Sequence, residues 1–289
     1  MRHDCVFAGL NTVDLIGVIA EPIREDEKIP ASAIVADGGG PCATAACAAS
    51  FYGLDTALFT AIGTDFWTPF ILQKLTDYKV SDEFVEISKK LINPVSLIIN
   101  NKKTASRTIV WNSQGLGAHD FHLTKTKISR LLNTACIHFD GHMIPTALRL
   151  AKEAKKRGVL VSYDCGSPKK GWEKLAALTD IFIPSHKFCE TVGIKLEKAV
   201  QTFTKKYGCL CAVTCGEKGV WYAENGRTFF MKQKKYRAAD TTGCGDVFHG
   251  AFLASYLKNK NFPAALAFAQ KAAGLKTLKA GGRLGLVKI

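Results

Sequence analysis

The sequence predicts an α/β fold with a mostly parallel central sheet between helices and a small β-sheet lid. Three observations lead there. Apolar, strand-like runs alternate with helical segments of ten or more residues, the pattern of a parallel sheet covered on both faces. A hairpin near residues 95–112 and a charged, loosely extended stretch over 15–36 break that rhythm. No internal repeat, low-complexity tract or linker divides the 289 residues. The expected organisation is one domain over 1–289, with lid segments at about 14–36 and 93–112.

The elements read in order as follows. "CVFAGL" is a short apolar strand ending in glycine. "GGGPCATAACAASFYG" (38–53) is a glycine loop entering an Ala-rich helix, with Gly53 at its C-terminal stop. "TALFTAIG" is the next strand. "FWTPFILQKLTDYK" has helical periodicity, and Pro69 belongs in its first turn. "VSLIIN" and "SRTIVWN" flank the polar turn "NKKTA", a hairpin signal. "ACIHFDG" is a buried strand. "PTALRLAKEAKKRG" is an amphipathic helix opened by Pro145 and closed by Gly158. "VLVSYDCG", "DIFIPS" and "CLCAVTCG" are strands separated by helical segments. "GVWYAENGRTFFM" is a hairpin turning at "ENG". Two helices follow, near 246–258 and 263–279.

Composition narrows the function classes. Hydrophobic content of 47% with 22% charged residues fits a globular chain with a sizeable core. The net charge of +14 comes from scattered short clusters, with no basic tail and no basic–aromatic ladder, so nucleic acid is not an expected partner. An anionic small substrate or solvated lysines account for it. The ten cysteines sit mostly in apolar strands and Ala-rich helices, where free thiols behave as small hydrophobes. Cys209, Cys211 and Cys215 fall on one face of one strand, but no partner completes a zinc set. No secretory signal and no run of eighteen apolar residues is present, so neither export nor a membrane partner is expected. A reducing cytoplasm is the expected location.

The chemistry concentrates in "DTTGCGDVFHGAF", Asp240 to Phe252. Gly243 and Gly245 let the backbone approach a ligand and adopt positive φ. A helix then starts, and its unpaired N–H groups and partial positive charge favour an anion. The helix dipole draws the pKa of Asp246 downward. The carboxylate can still orient a hydroxyl and accept its proton late in phosphoryl transfer. Taken alone, the stretch is equally a helix cap. It is neither a P-loop nor GxGxxG, because Phe248 stands where the last glycine would fall.

The rest of the chain decides between these readings. "DTTGCGDVFHGAF" resembles the C-terminal signature of the PfkB/ribokinase family of sugar kinases. "GGGPCATAACAASFYG" resembles its N-terminal glycine signature. "TAIGTDFW", "SRTIVWN" and "VTCGEKGVW" are similar to its vGxDxfG segment, lid strand and nucleotide-loop strand. All five stand in the family's order and spacing, over nearly the whole chain. The resemblance implies a three-layer ribokinase-like fold and ATP-dependent phosphorylation of a sugar hydroxyl, with Mg²⁺.

Residue by residue, the resemblance implies that Asp246 is the general base. The Gly243, Cys244, Gly245 and Asp246 backbone would be the anion hole. Asp14, Gly39, Gly40 and Thr44 would line the sugar site, with Arg107 and Asn112 reaching it from the lid. Thr214, Gly216 and Gly219 would hold nucleotide. Asp240 and Thr242 match a loop that holds a monovalent cation, K⁺, in some members. Lids in this family often pair across a homodimer, which the apolar faces of "SLIIN" and "TIVWN" permit.

Three departures stand out. Thr44 replaces the usual Asn and offers a hydroxyl in place of an amide. The N-x-x-E motif that organises water around Mg²⁺ should follow "DIFIP", but its positions are Ser185 and Phe188, and Glu190 is out of register. Cys244 replaces the usual alanine, either as a simply tolerated small residue or as an oxidisable thiol whose pKa the positive helix end lowers. The tail "AGGRLG" and "GDVFHGAF" look most like a ketohexokinase/sulfofructose kinase-like branch. Lys28 could there meet an anionic substrate group. The second arginine of that branch is missing, with His142 near its place, so the ketose stays open. Two other readings remain: a nucleoside or vitamin-like hydroxymethyl kinase of the same fold, and a non-catalytic sugar- or nucleotide-sensing protein.

Overall fold

The computed structural model describes residues 2–104, 106–112 and 116–289. Its strands are β1 (His3–Ala8), β2 (Thr12–Ile19), β3 (Ala31–Gly39), β4 (Thr56–Ile62), β5 (Ser81–Ile87), β6 (Val95–Asn101), β7 (Ser106–Trp111), β8 (Thr134–Phe139), β9 (Leu160–Cys165), β10 (Ile181–Pro184), β11 (Leu210–Thr214), β12 (Gly219–Glu224) and β13 (Arg227–Lys232). Its helices are α1 (Pro41–Phe51), α2 (Thr68–Asp77), α3 (Lys125–Leu131), α4 (Ile144–Lys156), α5 (Trp172–Ala176), α6 (His186–Thr191), α7 (Leu196–Tyr207), α8 (Cys244–Asn259) and α9 (Phe262–Lys276).

The large sheet runs β13-β12-β11-β10-β9-β8-β1-β4-β5. From β11 to β5 neighbouring strands are parallel, and only β12 and β13 are antiparallel. Alternation along β1 sorts the two faces. Cys5 and Phe7 pack with α1, α8 and α9, whereas Val6 and Ala8 pack with α3, α4, α6 and α7. The result is the expected three-layer α/β arrangement. Alanines dominate α1, so α8 approaches it closely. At Gly250 in α8, a Cβ would run into the Ala45 carbonyl oxygen.

A second sheet, β3-β2-β6-β7, is smaller. Its β2–β3 and β6–β7 pairs are antiparallel and its β2–β6 pair is parallel. The stretch over 15–36, read as loosely extended, is paired strand over 15–19 and 31–36 and has no strand between them. Its outer residues, such as Ile34, are exposed because only one face of this sheet is covered. The β6–β7 hairpin forms as expected, although the end of its turn, Ala105, lies outside the described residues.

Two elements escaped the periodicity. "SDEFVEI" forms β5, an edge strand with Asp82 and Glu83 exposed and Glu86 half-buried. "KTKISRL" forms α3, capped by the Thr124 side chain accepting from the Lys127 N–H. The final helix stops at Lys276, earlier than the hydrophobic pattern suggested. Cys209, Cys211 and Cys215 join one core cluster, and only Cys244 among the ten thiols is partly accessible. No described helix is long and apolar enough to cross a membrane. Among the described residues no group of three His, Cys, Asp or Glu side chains could hold a metal ion.

The α1–α8 contact sets the position of the α8 N-terminus and is testable. Gly250→Ala is expected to lower stability by about 1–3 kcal/mol through overpacking against backbone. A thermal melt reads this directly, and an unchanged midpoint would show that the helices can separate without cost.

Candidate active site

The α8 N-terminus lies at the carboxyl ends of the parallel strands, where open α/β sheets leave a crevice. Gly243 precedes the helix with φ 70°, the left-handed conformation expected of it. Among the described residues the N–H groups of Gly243, Gly245 and Asp246 have no protein acceptor, while the Cys244 N–H donates to the Thr241 carbonyl at 3.3 Å. Three of the four N–H groups expected to receive an anion are thus free to do so.

Two cavities meet at this turn. One, of about 390 Å³, is lined by Thr12 and Asp14 of β2, Gly40, Thr44, Ser96 of β6, Arg107, Ile109 and Trp111 of β7, His142, and the 241–246 turn. The other, of about 620 Å³, is lined by Thr214, Gly216, Gly219, Tyr236, Phe248, Gly274 and Thr277. Both include Thr241, Cys244 and Gly245. Asp246 lies on the smaller side only.

Asp246 does not have the lowered pKa that the helix dipole predicts. Burial pushes it up to about 7, and the negative charge of Asp164 adds to the shift. The magnitudes explain the outcome. A favourable helix terminus contributes about 0.3–1 kcal/mol. Moving a carboxyl from its ordinary range to about 7 corresponds to roughly 4 kcal/mol, so desolvation wins. His249 opposes the rise in part, and its Nε2 lies 3.2 Å from Asp164 Oδ1. Of the two readings of Cys244, the activated thiol is the one that fails. Burial pushes its thiol up to about 11, so this is not an activated thiolate.

The groups around the smaller cavity are held from several directions. Asp14 is buried, accepts from Thr12 Oγ1 at 3.0 Å, and has its pKa raised by burial. Gly39 faces it across β2–β3, and any side chain there would collide with the Asp14 carboxylate. Gly39 therefore makes room for Asp14, while Gly40 lines the cavity itself. Thr44 lines the cavity and its Oγ1 takes the Arg283 Nε at 3.4 Å. Arg107 donates to Thr241 Oγ1 and so ties the small sheet to the turn before α8.

Several expected residues lie elsewhere. Asn112 is an odd number of positions from Arg107, so strand alternation turns it away from the cavity. Its Oδ1 accepts the Val95 N–H at 2.8 Å, pinning the hairpin ends. Lys28 is exposed and lines neither cavity. Ser185 caps α6 by accepting from the Phe188 N–H, and Phe188 is fully buried in the core. Glu190 is exposed and lines neither cavity. The residues at 185, 188 and 190 therefore do not fit a magnesium role.

Four charged residues have no site role assigned from the sequence. Asp140 follows β8 and accepts from the Leu10 N–H at 2.8 Å and the Cys42 N–H at 3.2 Å, joining β1 to α1. Burial alone would raise its pKa, but His142 and the N–H groups of His142 and Leu10 hold it well below the carboxylate range. Asp164 ends β9 beside His249. Their common signal is an Asp at the carboxyl end of an apolar strand, in "HFDG" and "SYDCG". Arg283 and Lys276 are fully buried and come from the C-terminal segment. Arg283 Nη2 donates to Asn11 Oδ1 at 3.0 Å and to the Gly39 carbonyl at 2.6 Å.

Two cavities that share a helix N-terminus at the carboxyl ends of a parallel sheet can bring an anionic group in one against a ligand in the other. The comparisons with known proteins agree. Residues 2–289 match the profile of the pfkB family carbohydrate kinases. A ribokinase from Haemophilus influenzae is 27% identical over 263 residues, covering 85% of this chain and 82% of the relative. A Staphylococcus aureus ribokinase is 24% identical, covering 99% and 97%. The solved structure of Arabidopsis thaliana ribokinase complexed with ribose and ATP superposes with a TM-score of 0.83 at 21% identity, covering 99% and 96%. The chain belongs to the pfkB family of carbohydrate kinases.

The raised Asp246 pKa has a consequence for stability. Between the ordinary carboxylate range and about pH 7 the folded protein holds a proton that the unfolded chain has released, so stability falls as pH rises through that window. Asp246→Asn removes the buried charge. It is expected to stabilise the fold by about 1–3 kcal/mol at pH 8, with the gain vanishing toward pH 4. Denaturant titrations at both pH values check this. An equal effect at pH 4 and pH 8 would contradict the assigned burial.

Proposed function

We propose that this chain transfers the γ-phosphoryl group of ATP to a hydroxyl of a sugar, a ketose or related derivative. The observation that carries the reading is the meeting of the two cavities at the first turn of α8. The larger cavity, with Thr214, Gly216 and Gly219, takes nucleotide. The smaller one, with Asp14, Gly40, Thr44 and Arg107, takes sugar. A nucleotide in one and a sugar in the other would bring phosphoryl group and hydroxyl together at Gly245.

Asp14, held ready by Thr12, accepts hydrogen bonds from sugar hydroxyls and turns the reacting one toward Asp246. Asp246 orients that hydroxyl and takes its proton as the new P–O bond forms and the bond to ADP breaks. The free N–H groups of Gly243, Gly245 and Asp246 face the charge that grows on the transferred phosphoryl group. A base near pKa 7 suits this task better than an ordinary carboxylate, because its proton affinity matches working pH. Mg²⁺ would accompany ATP and offset the charge of its phosphates, and the residues at 185, 188 and 190 would not hold it.

The small sheet acts as a lid on a single 1–289 domain. Its inner face carries Arg107, Ile109 and Trp111 over the sugar cavity, and the Arg107–Thr241 hydrogen bond is its latch. The exposed apolar residues Ile34, Leu97 and Val110 on the lid strands support pairing with a second copy. The match of relatives described as ribokinase, deoxyribokinase and ATP-dependent 6-phosphofructokinase supports sugar over a nucleoside or vitamin acceptor.

The test is ADP release over a panel of pentoses, ketohexoses and sugar phosphates. With the accepted sugar, kcat/KM of the parent is expected to rise through about pH 7 and level off above it, as Asp246 ionises. Asp246→Asn should lower kcat by about 10²–10⁴. Full activity of that variant would remove Asp246 from the reaction.

A further inference from the structure

Lys276, the last residue of α9, is completely buried. Its stem crosses Gly285, where a Cβ would stand 2.8 Å from Cε. Its Nζ donates to the Asp240 carbonyl oxygen at 3.1 Å. Among the described residues no carboxylate oxygen lies within 4 Å of that ammonium. The Asp240 and Ala239 N–H groups both donate to the Thr277 carbonyl, so the loop before α8 is stitched to the segment that Lys276 begins.

The resemblance to ribokinases places a monovalent cation at Asp240 and Thr242. The residues present do not fit one. Each Asp240 carboxylate oxygen already accepts a backbone N–H, from Thr242 at 2.7 Å and Gly281 at 2.8 Å. The Asp240 carbonyl oxygen is taken by Lys276. Among the side-chain oxygens of this loop, Thr242 Oγ1 is the one buried without a partner, and it is a single neutral oxygen. A metal cation there would stand beside a buried ammonium, where like charges repel. The charge of Lys276 already acts at this end of the molecule. Burial alone would raise the Asp240 carboxyl, and Lys276 is the largest of the influences that lower it instead. The same charge also reaches the Cys244 thiol in the first turn of α8.

We infer that the Lys276 ammonium is a built-in monovalent cation for the Asp240–Thr242 loop, so that the α8 anion site is formed without potassium. The placement of the charge stands on geometry. Its bearing on turnover rests on the kinase reading above.

The test uses the full chain freed of alkali metals, in potassium, sodium and choline salts at equal ionic strength. Thermal melting, ADP affinity by calorimetry and sugar turnover are measured in each. All three are expected to agree among the salts, with affinity and rate within about 1.5-fold. A rise of about fivefold or more in ADP affinity, or a clear rise in melting temperature, specific to potassium over choline would overturn the inference. Lys276→Met keeps the stem and removes the charge. It is expected to weaken ADP binding and turnover about tenfold or more, with partial recovery in potassium or ammonium salts. Unchanged ADP affinity in a folded Lys276→Met would also overturn it, and if that variant does not fold, the parent's salt comparison decides alone. Failure of the parent to bind ADP in every salt would count against the kinase reading, while the melting comparison would still decide the cation question.

Discussion

The arrangement depends on one constraint: a carboxylate must sit at a helix N-terminus, dry enough to hold a proton near neutral pH, yet open to one cavity. The dipole of α8 and the desolvation of Asp246 act in opposite directions. Desolvation is the larger, which is why the side chain departs from the behaviour of an ordinary first-turn acid. The same first turn must leave N–H groups free for an anion. Gly243 makes that possible by turning the chain into the helix from a left-handed conformation, so that no side chain caps the end. Fixing that helix end is then the work of the packing behind it, where α1 and α8 meet through alanines and Gly250.

The C-terminal segment supplies the second half of the constraint. After α9 it folds back between the two glycine signatures. Gly281 meets the Asp240 carboxylate, Arg283 grips the Gly39 carbonyl and Thr44, and Lys276 reaches the Asp240 carbonyl. The backbone N–H groups of Arg283 and Leu284 also donate to the buried Asp37 carboxylate. Two loops far apart in sequence are thereby held by one short strap. Buried cations are costly without such partners, and here they are placed where each satisfies a loop that borders a cavity.

Much of this was legible in the residues. Strand–helix alternation fixes the layers, and the Asp240–Phe252 stretch marks the helix end that two cavities share. What stayed hidden has physical reasons. "SDEFVEI" and "KTKISRL" are half-exposed elements whose polar faces blur their period. Asn112 was misplaced because a strand's side chains alternate, and an odd separation from Arg107 reverses its direction. The pKa values of Asp246 and Cys244 went opposite to a dipole argument because enclosure is a tertiary property, invisible in a local stretch. Lys276 and Arg283 carry no local signal of burial, and only the fold reveals that they point inward. Asp140 and Asp164 could have been found, since each ends an apolar strand on the side where the site lies.

The central claim is that phosphoryl group and acceptor hydroxyl meet at the first turn of α8. A crystal structure with the accepted sugar and a non-hydrolysable ATP analogue tests it most directly. The account predicts the terminal phosphate on the N–H groups of Gly245 and Asp246, and one sugar hydroxyl within about 3 Å of the Asp246 carboxylate. A terminal phosphate seated away from this turn, or a sugar with no hydroxyl near Asp246, would contradict it.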